Sequence, residues 1–160
     1  MYLTPFIFGA LSASFALLIE LVVLNLDHLQ EFSSPTFDAS SLLLLVAVAL
    51  IEELGKYLFL RQYLLRYFKA TSISLKTALY LGFFFGSGFS SLEVAFASAD
   101  QTIPLAFFPL LGIVLIHILT SLILVSFLRF QNKQFSSFIL PLILATLVHF
   151  FYNSFLLFVI

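Results

Sequence analysis

Ionisable side chains interrupt the long apolar stretches of this chain at only a few places: Glu20, Glu52, Glu53, Lys56, Glu93, His117 and His149. Asn153 follows His149 at i+4, on the same face of a helix. Desolvation makes a carboxylate a stronger base near neutral pH, able to take a proton and hand it on. Glu52 or Glu53 could therefore activate a water molecule. An imidazole could orient that water or protonate a leaving amine. The Asn153 amide, with a histidine N–H, could donate to the oxyanion of a tetrahedral intermediate, where such donors are worth ~3–4 kcal/mol each. The set suits hydrolysis of an amide bond by direct attack of water. Ser87, Ser90 and Ser91 supply hydroxyls, but no G-x-S-x-G or Ser/Lys arrangement surrounds them. The absence of cysteine excludes thiol nucleophiles, Cys-ligated zinc and disulfides. Two histidines with a glutamate also form a zinc set. No H-E-x-x-H is present, and the ligands would come from separate helices; the expected site works by direct water attack with no cofactor. A zinc site built from Glu52, Glu93, His117 and His149 stays open beside it.

Plainer readings stand next to these. Glu52 and Lys56 make an i,i+4 ion pair in the favourable order, though Glu53 leaves negative charge that one lysine does not cancel. Lys56 pairs with a glutamate and caps the site, or snorkels toward the basic end of its helix. A lone histidine within a span is often only an interhelical hydrogen-bond donor, and Glu93 alone could be a protonated hydrogen-bond partner. Glu20, near one end of its stretch, reads as interfacial.

The elements that must position these groups are membrane helices. Of 160 residues, 62% are hydrophobic and 9% charged, against about 45–50% and roughly 25% in soluble domains. A soluble protein of this size could not hide so much apolar surface. The 22 Phe suit a lipid-facing surface, and a net charge of -1 gives no sign of a nucleic-acid partner. The N-terminal stretch lacks a basic region and is too long for a signal peptide, so it reads as a permanent span. Five apolar stretches, at about 5–26, 41–64, 77–98, 104–128 and 136–159, each approach the ~20 residues a bilayer core requires. Backbone groups in lipid must be satisfied internally, so each is a helix. The expected fold is an all-α bundle of five transmembrane helices in one domain, residues 1–160, without repeats or linkers.

Loop charges orient the bundle. Asp27, Glu31, Asp38 and Asp100 lie in loops one and three; Arg61, Arg66, Lys69, Lys76, Arg129 and Lys133 lie in or beside loops two and four. The positive-inside rule then puts the N-terminus in the cytoplasm and the C-terminus outside. In that orientation Glu52, Glu53, Glu93, His117, His149 and Asn153 fall in one slab, at the midplane or slightly outward. Glu52, Lys56, Phe59 and Tyr63 share one stripe. Gly82, Gly86, Phe89 and Glu93 share another, and its small-xxx-small pair should face a neighbouring helix.

Four segments carry a resemblance. "EELGKYLFL" resembles an E-E-x-x-K motif on a transmembrane helix, and "GFFFGSGFSSLEVAF" the segment that follows it, with Phe89 and Glu93 at the fixed offset. "HILTSLIL" resembles a third, histidine-led motif and "HFFYNSFLL" an H-x-x-x-N-like last one. In order, spacing and helix placement the chain is similar to the PrsW-type intramembrane proteases, relatives of the CAAX-processing and bacteriocin-processing membrane proteases. The resemblance implies regulated intramembrane proteolysis of a membrane-protein substrate, a regulator such as an anti-sigma factor being the type case. It implies Glu52 as water-activating base assisted by Glu53, His149 with Asn153 as the oxyanion pair, and His117 as a further site residue. Glu93 falls where the CAAX-processing relatives carry a His. The group has been described both as metalloproteases and as glutamate proteases. The chain is short for the family, with one helix ahead of the E-E-x-x-K helix. The expectation is therefore a minimal core that suffices, or a partner subunit or homo-oligomer that completes it. Two other function classes use the same residues: a non-catalytic membrane protein with a binding or immunity role, and a cation or proton transporter. The latter usually shows paired halves, which this sequence lacks.

Overall fold

A computed structural model describes residues 3–23, 39–68, 73–99, 107–129 and 136–159. They form five helices: α1 (Leu3–Val23), α2 (Ala39–Phe68), α3 (Leu75–Ala99), α4 (Phe107–Leu128) and α5 (Ser136–Val159). The expected all-helical class holds. Leu3–Val23, Leu75–Ser98, Phe108–Leu128 and Ile139–Leu156 are long and apolar enough to cross a membrane. The fifth expected span, 41–64, lies in α2. At 30 residues α2 is long enough, but Glu52, Glu53 and Lys56 at its middle and Arg61 and Arg66 beyond them make it too charged to qualify on composition. The helix also runs past residue 64 to Phe68. Hydropathy marks the apolar part of a helix, whereas the backbone ladder continues through any good helix former, including the Arg and Leu residues here. The loop residues Asp27, Glu31, Asp38, Asp100, Lys69 and Lys133 lie outside the described residues.

The helices close a ring. α1 packs on α3, α3 on α4, α4 on α5, α5 on α2 and α2 back on α1, while α2 also touches α4 across the middle. Large apolar side chains cover the outside of every helix, among them Val22, Leu43, Phe83, Phe108 and Phe151. The inside holds Glu53, Lys56, His117, Thr120 and His149. This distribution reverses that of a soluble protein and belongs to a protein whose solvent is lipid. Below the polar cluster two apolar layers fill the ring. Tyr57, Leu60, Phe85, Leu124 and Ala145 form one, and Tyr63, Leu64, Ala78, Leu81 and Val125 the other.

Close backbone approach fixes the α3–α4 pair. A Cβ on Gly86 would lie 2.6 Å from the His117 carbonyl oxygen, and one on Gly82 would lie 2.9 Å from the Leu122 Cα. The small-residue stripe thus faces a neighbour as its spacing predicts, and the neighbour is the histidine-bearing helix. Pro109 stands in the first turn of α4, where a missing N–H breaks no helical bond. Its carbonyl accepts the Tyr152 hydroxyl at 3.0 Å, which ties α5 to the start of α4.

Candidate active site

Four helices supply the polar cluster at the centre of the ring. α2 brings Glu52, Glu53 and Lys56, α3 brings Phe89 and Glu93, α4 brings His117 and Thr120, and α5 brings His149. Both adjacent glutamates are buried because α2 is surrounded: it packs on α1, α4 and α5 at once. Consecutive residues point about 100° apart on a helix, so the two carboxylates meet different neighbours.

Glu53 faces the histidine side. Its Oε1 accepts from Lys56 Nζ at 2.7 Å and from His149 Nδ1 at 2.8 Å. Lys56 is fully buried. Its Nζ also lies 2.7 Å from His117 Nδ1 and 3.1 Å from Thr120 Oγ1, and 4.3 Å from the centre of the Phe89 ring. The expected i,i+4 pairing of Glu52 with Lys56 is replaced by an i,i+3 pairing of Glu53 with Lys56, because the acceptors that complete the lysine's coordination lie on Glu53's side of the helix. Nor does Lys56 snorkel. Four groups converge on it in the interior, so its charge is compensated where it stands. His117 Nε2 bonds to Glu93 Oε2. The two imidazoles meet edge to face, with ring centres 5.0 Å apart, and Phe89 packs on His117 at 4.7 Å between ring centres.

Glu52 turns toward the α1 and α3 side while staying close to both imidazoles. Its Oε2 is buried and makes no hydrogen bond. His149 Nε2 lies 3.8 Å from it and His117 Nδ1 3.9 Å. The second Glu53 oxygen is likewise buried without a hydrogen bond, but only Glu52 of the pair reaches the small cavity between α1, α2 and α3. Ala13, Ala16, Leu17, Glu20, Phe89 and Glu93 line that cavity with it, and it has room for about one water molecule. A carboxylate that has left water and has gained no protein donor needs a proton, a water or a cation beside it. The donor set tests which metal would fit. One ligand atom each from Glu52, His117 and His149 lies within 4.8 Å of the others, and one carboxylate with two imidazoles suits zinc. These residues fit a metal ion. Glu93, the fourth member of the expected ligand set, is outside that group and is engaged by His117.

Glu52, Glu53, Glu93, His117 and His149 are thus brought together, with Lys56 and Phe89 in support. Asn153 is not in this network. It stands one turn beyond His149, half-buried, without a hydrogen bond to any described residue. Thr120 carries no signal in the sequence, and Glu20 stands elsewhere than its place along α1 suggests. Thr120 holds Lys56, whereas Ser121 Oγ, at i+4 from His117, has no partner among the described residues. Glu20 reads as interfacial from its position near a helix end, yet it lines the cavity with Glu52 and Glu93, and its Oε1 is buried without a partner. The detectable signal was its spacing from Ala13 and Ala16 on one face of α1.

A family model described as PrsW family intramembrane metalloprotease matches residues 1–160, the whole chain. No curated protein and no solved structure matches it.

Proposed function

The chain belongs to the PrsW family of intramembrane metalloproteases, and on that premise we propose that it cuts a peptide bond in a membrane-protein substrate with a water molecule activated by Glu52. The observation that carries this reading is the buried Glu52 Oε2, unpaired, beside a water-sized cavity and facing His149 Nε2.

Glu52 takes a proton from water as the water oxygen adds to the scissile carbonyl carbon. Neutral His149 donates its Nδ1 hydrogen to Glu53, since the carboxylate can only accept. Its Nε2 lone pair then faces Glu52 and can hold the same water or receive its proton. Once protonated, Nε2 can donate to the oxyanion, with the Asn153 amide as second donor after α5 engages substrate. The tetrahedral intermediate expels the amine as the C–N bond breaks, and the proton held by Glu52 or His149 goes to the leaving nitrogen. Phe89, Ala13 and Ala16 keep bulk water and lipid from the carboxylate. Were zinc bound, Glu52, His117 and His149 would hold it, and it would supply an acidified water and a polarised carbonyl.

We read α2 as the fifth crossing. Its mid-helix charges, Glu52, Glu53 and Lys56, are buried in the ring, so its outer surface there remains apolar at Leu43, Val46, Leu50 and Leu58, while Arg61 and Arg66 are exposed toward its far end. Arg66 near the end of α2, Lys76 at the start of α3 and Arg129 at the end of α4 share one end of the ring, where Ile73 N–H donates to the Arg129 carbonyl at 3.3 Å. That end is cytoplasmic on the positive-inside rule. A single-span regulator is the substrate class that this topology and the family suit.

The reading is tested by comparing new protein N-termini in membranes of cells expressing the wild type or Glu52→Gln. Termini within or next to transmembrane segments should appear with the wild type and be absent with the variant. The same termini in both would overturn the assignment.

A further inference from the structure

We propose that Lys56 is a positioning residue that fixes the tautomer of His117, so that the two histidines of the site are held in opposite tautomers by one ion pair on α2. The inference stands on hydrogen-bond geometry and does not rest on the hydrolytic reading.

An ammonium group has three N–H donors and no acceptor. Lys56 Nζ has three acceptors in reach: Glu53 Oε1 at 2.7 Å, His117 Nδ1 at 2.7 Å and Thr120 Oγ1 at 3.1 Å. Thr120 can accept from the lysine and still donate its own hydrogen to the His117 carbonyl, 3.4 Å away. Every proton of the ammonium therefore has a place. His117 Nδ1 must accept, and a neutral imidazole then carries its hydrogen on Nε2. The partner of Nε2 is Glu93 Oε2, a carboxylate oxygen that accepts. The reverse tautomer would aim an N–H at the ammonium and a lone pair at the carboxylate, two repulsive contacts in a fully buried place.

His149 is set the other way by the same pair. Its Nδ1 donates to the Glu53 oxygen that also receives Lys56, which leaves Nε2 bare toward Glu52. The open lone pair beside Glu52 belongs to His149, while His117 presents a hydrogen to Glu93 and its Nδ1 is covered by Lys56. A cation entering the site meets Glu52 and His149 first and gains His117 only by displacing the lysine.

The test is nitrogen-15 NMR of the protein in lipid nanodiscs with imidazole-labelled histidine. The sequence has three histidines, and a His28→Gln background leaves the two of the site. The wild type should show one ring protonated at Nε2 only and one protonated at Nδ1 only. His117→Gln should remove the Nε2-protonated ring. In Lys56→Met, Glu93 still accepts from Nε2 but Nδ1 loses its donor, so the His117 Nδ1 resonance should move to that of a free or protonated nitrogen while the His149 ring keeps its own signals. The wild-type spectrum decides even where the variant does not fold. A His117 ring protonated at Nδ1, or at both nitrogens, in the wild type would overturn the proposal, as would an unchanged His117 Nδ1 resonance in folded Lys56→Met.

Discussion

Glu52 and Glu53 are neighbours in the chain with different tasks, and mutation should separate them. Glu53 is the acceptor for Lys56 and His149. Removing it leaves a fully buried ammonium without its counter-charge, and breaking such a pair costs about 3–5 kcal/mol. Glu53→Ala should therefore lower the thermal stability of the purified protein sharply and carry activity down with it. Glu52 Oε2 has no hydrogen bond to lose, so Glu52→Gln should leave the unfolding temperature nearly unchanged. The sequence already made Glu52, Glu53, Glu93, His117 and His149 visible, because a charge or imidazole inside an apolar run has few reasons to be there. Which glutamate meets Lys56 was not legible. Both i,i+3 and i,i+4 are neighbours on a helix, and the choice was made by His117 and Thr120, sixty-odd positions away on another element.

At the scale of elements, the α3–α4 contact sets the reach of Glu93 to His117. Gly82 and Gly86 let the two backbones approach until a Cβ would collide. Gly86→Val should force the helices apart and break the Glu93–His117 bond. Overpacking of this kind costs typically 1–3 kcal/mol; stability should fall by about that amount, measured by thermal unfolding, and proteolysis should fall with it. The stripe that carries this contact could be read from its four-residue spacing, and so could the five helices, from apolar runs of bilayer length. The ends of α2 could not, since its charged half continues as helix without an apolar signal. Nor could the position of Glu20 at the cavity. A residue near a helix end looks interfacial until the neighbouring helices show which face of α1 they cover.

For the whole molecule, the ring places a water-sized cavity inside a shell of lipid-facing Phe and Leu, with basic residues gathered at one end. The chain has no cysteine, so single-cysteine labelling reads the orientation directly. Ser74→Cys, beside Lys76, should react with a membrane-impermeant maleimide only after the cytoplasmic face is opened, and Asp100→Cys should react from outside in intact cells. The reverse pattern would invert the bundle. The chemistry at the centre is tested most directly by one comparison. Wild type and Glu52→Gln, each reconstituted in proteoliposomes with a single-span substrate, are assayed for cleavage rate while thermal unfolding confirms that both are folded. The account predicts a loss of about 10²–10⁴-fold or more in the variant, the range expected when a positioned general base is removed, with the unfolding temperature held. Cleavage by folded Glu52→Gln at the wild-type rate would contradict it.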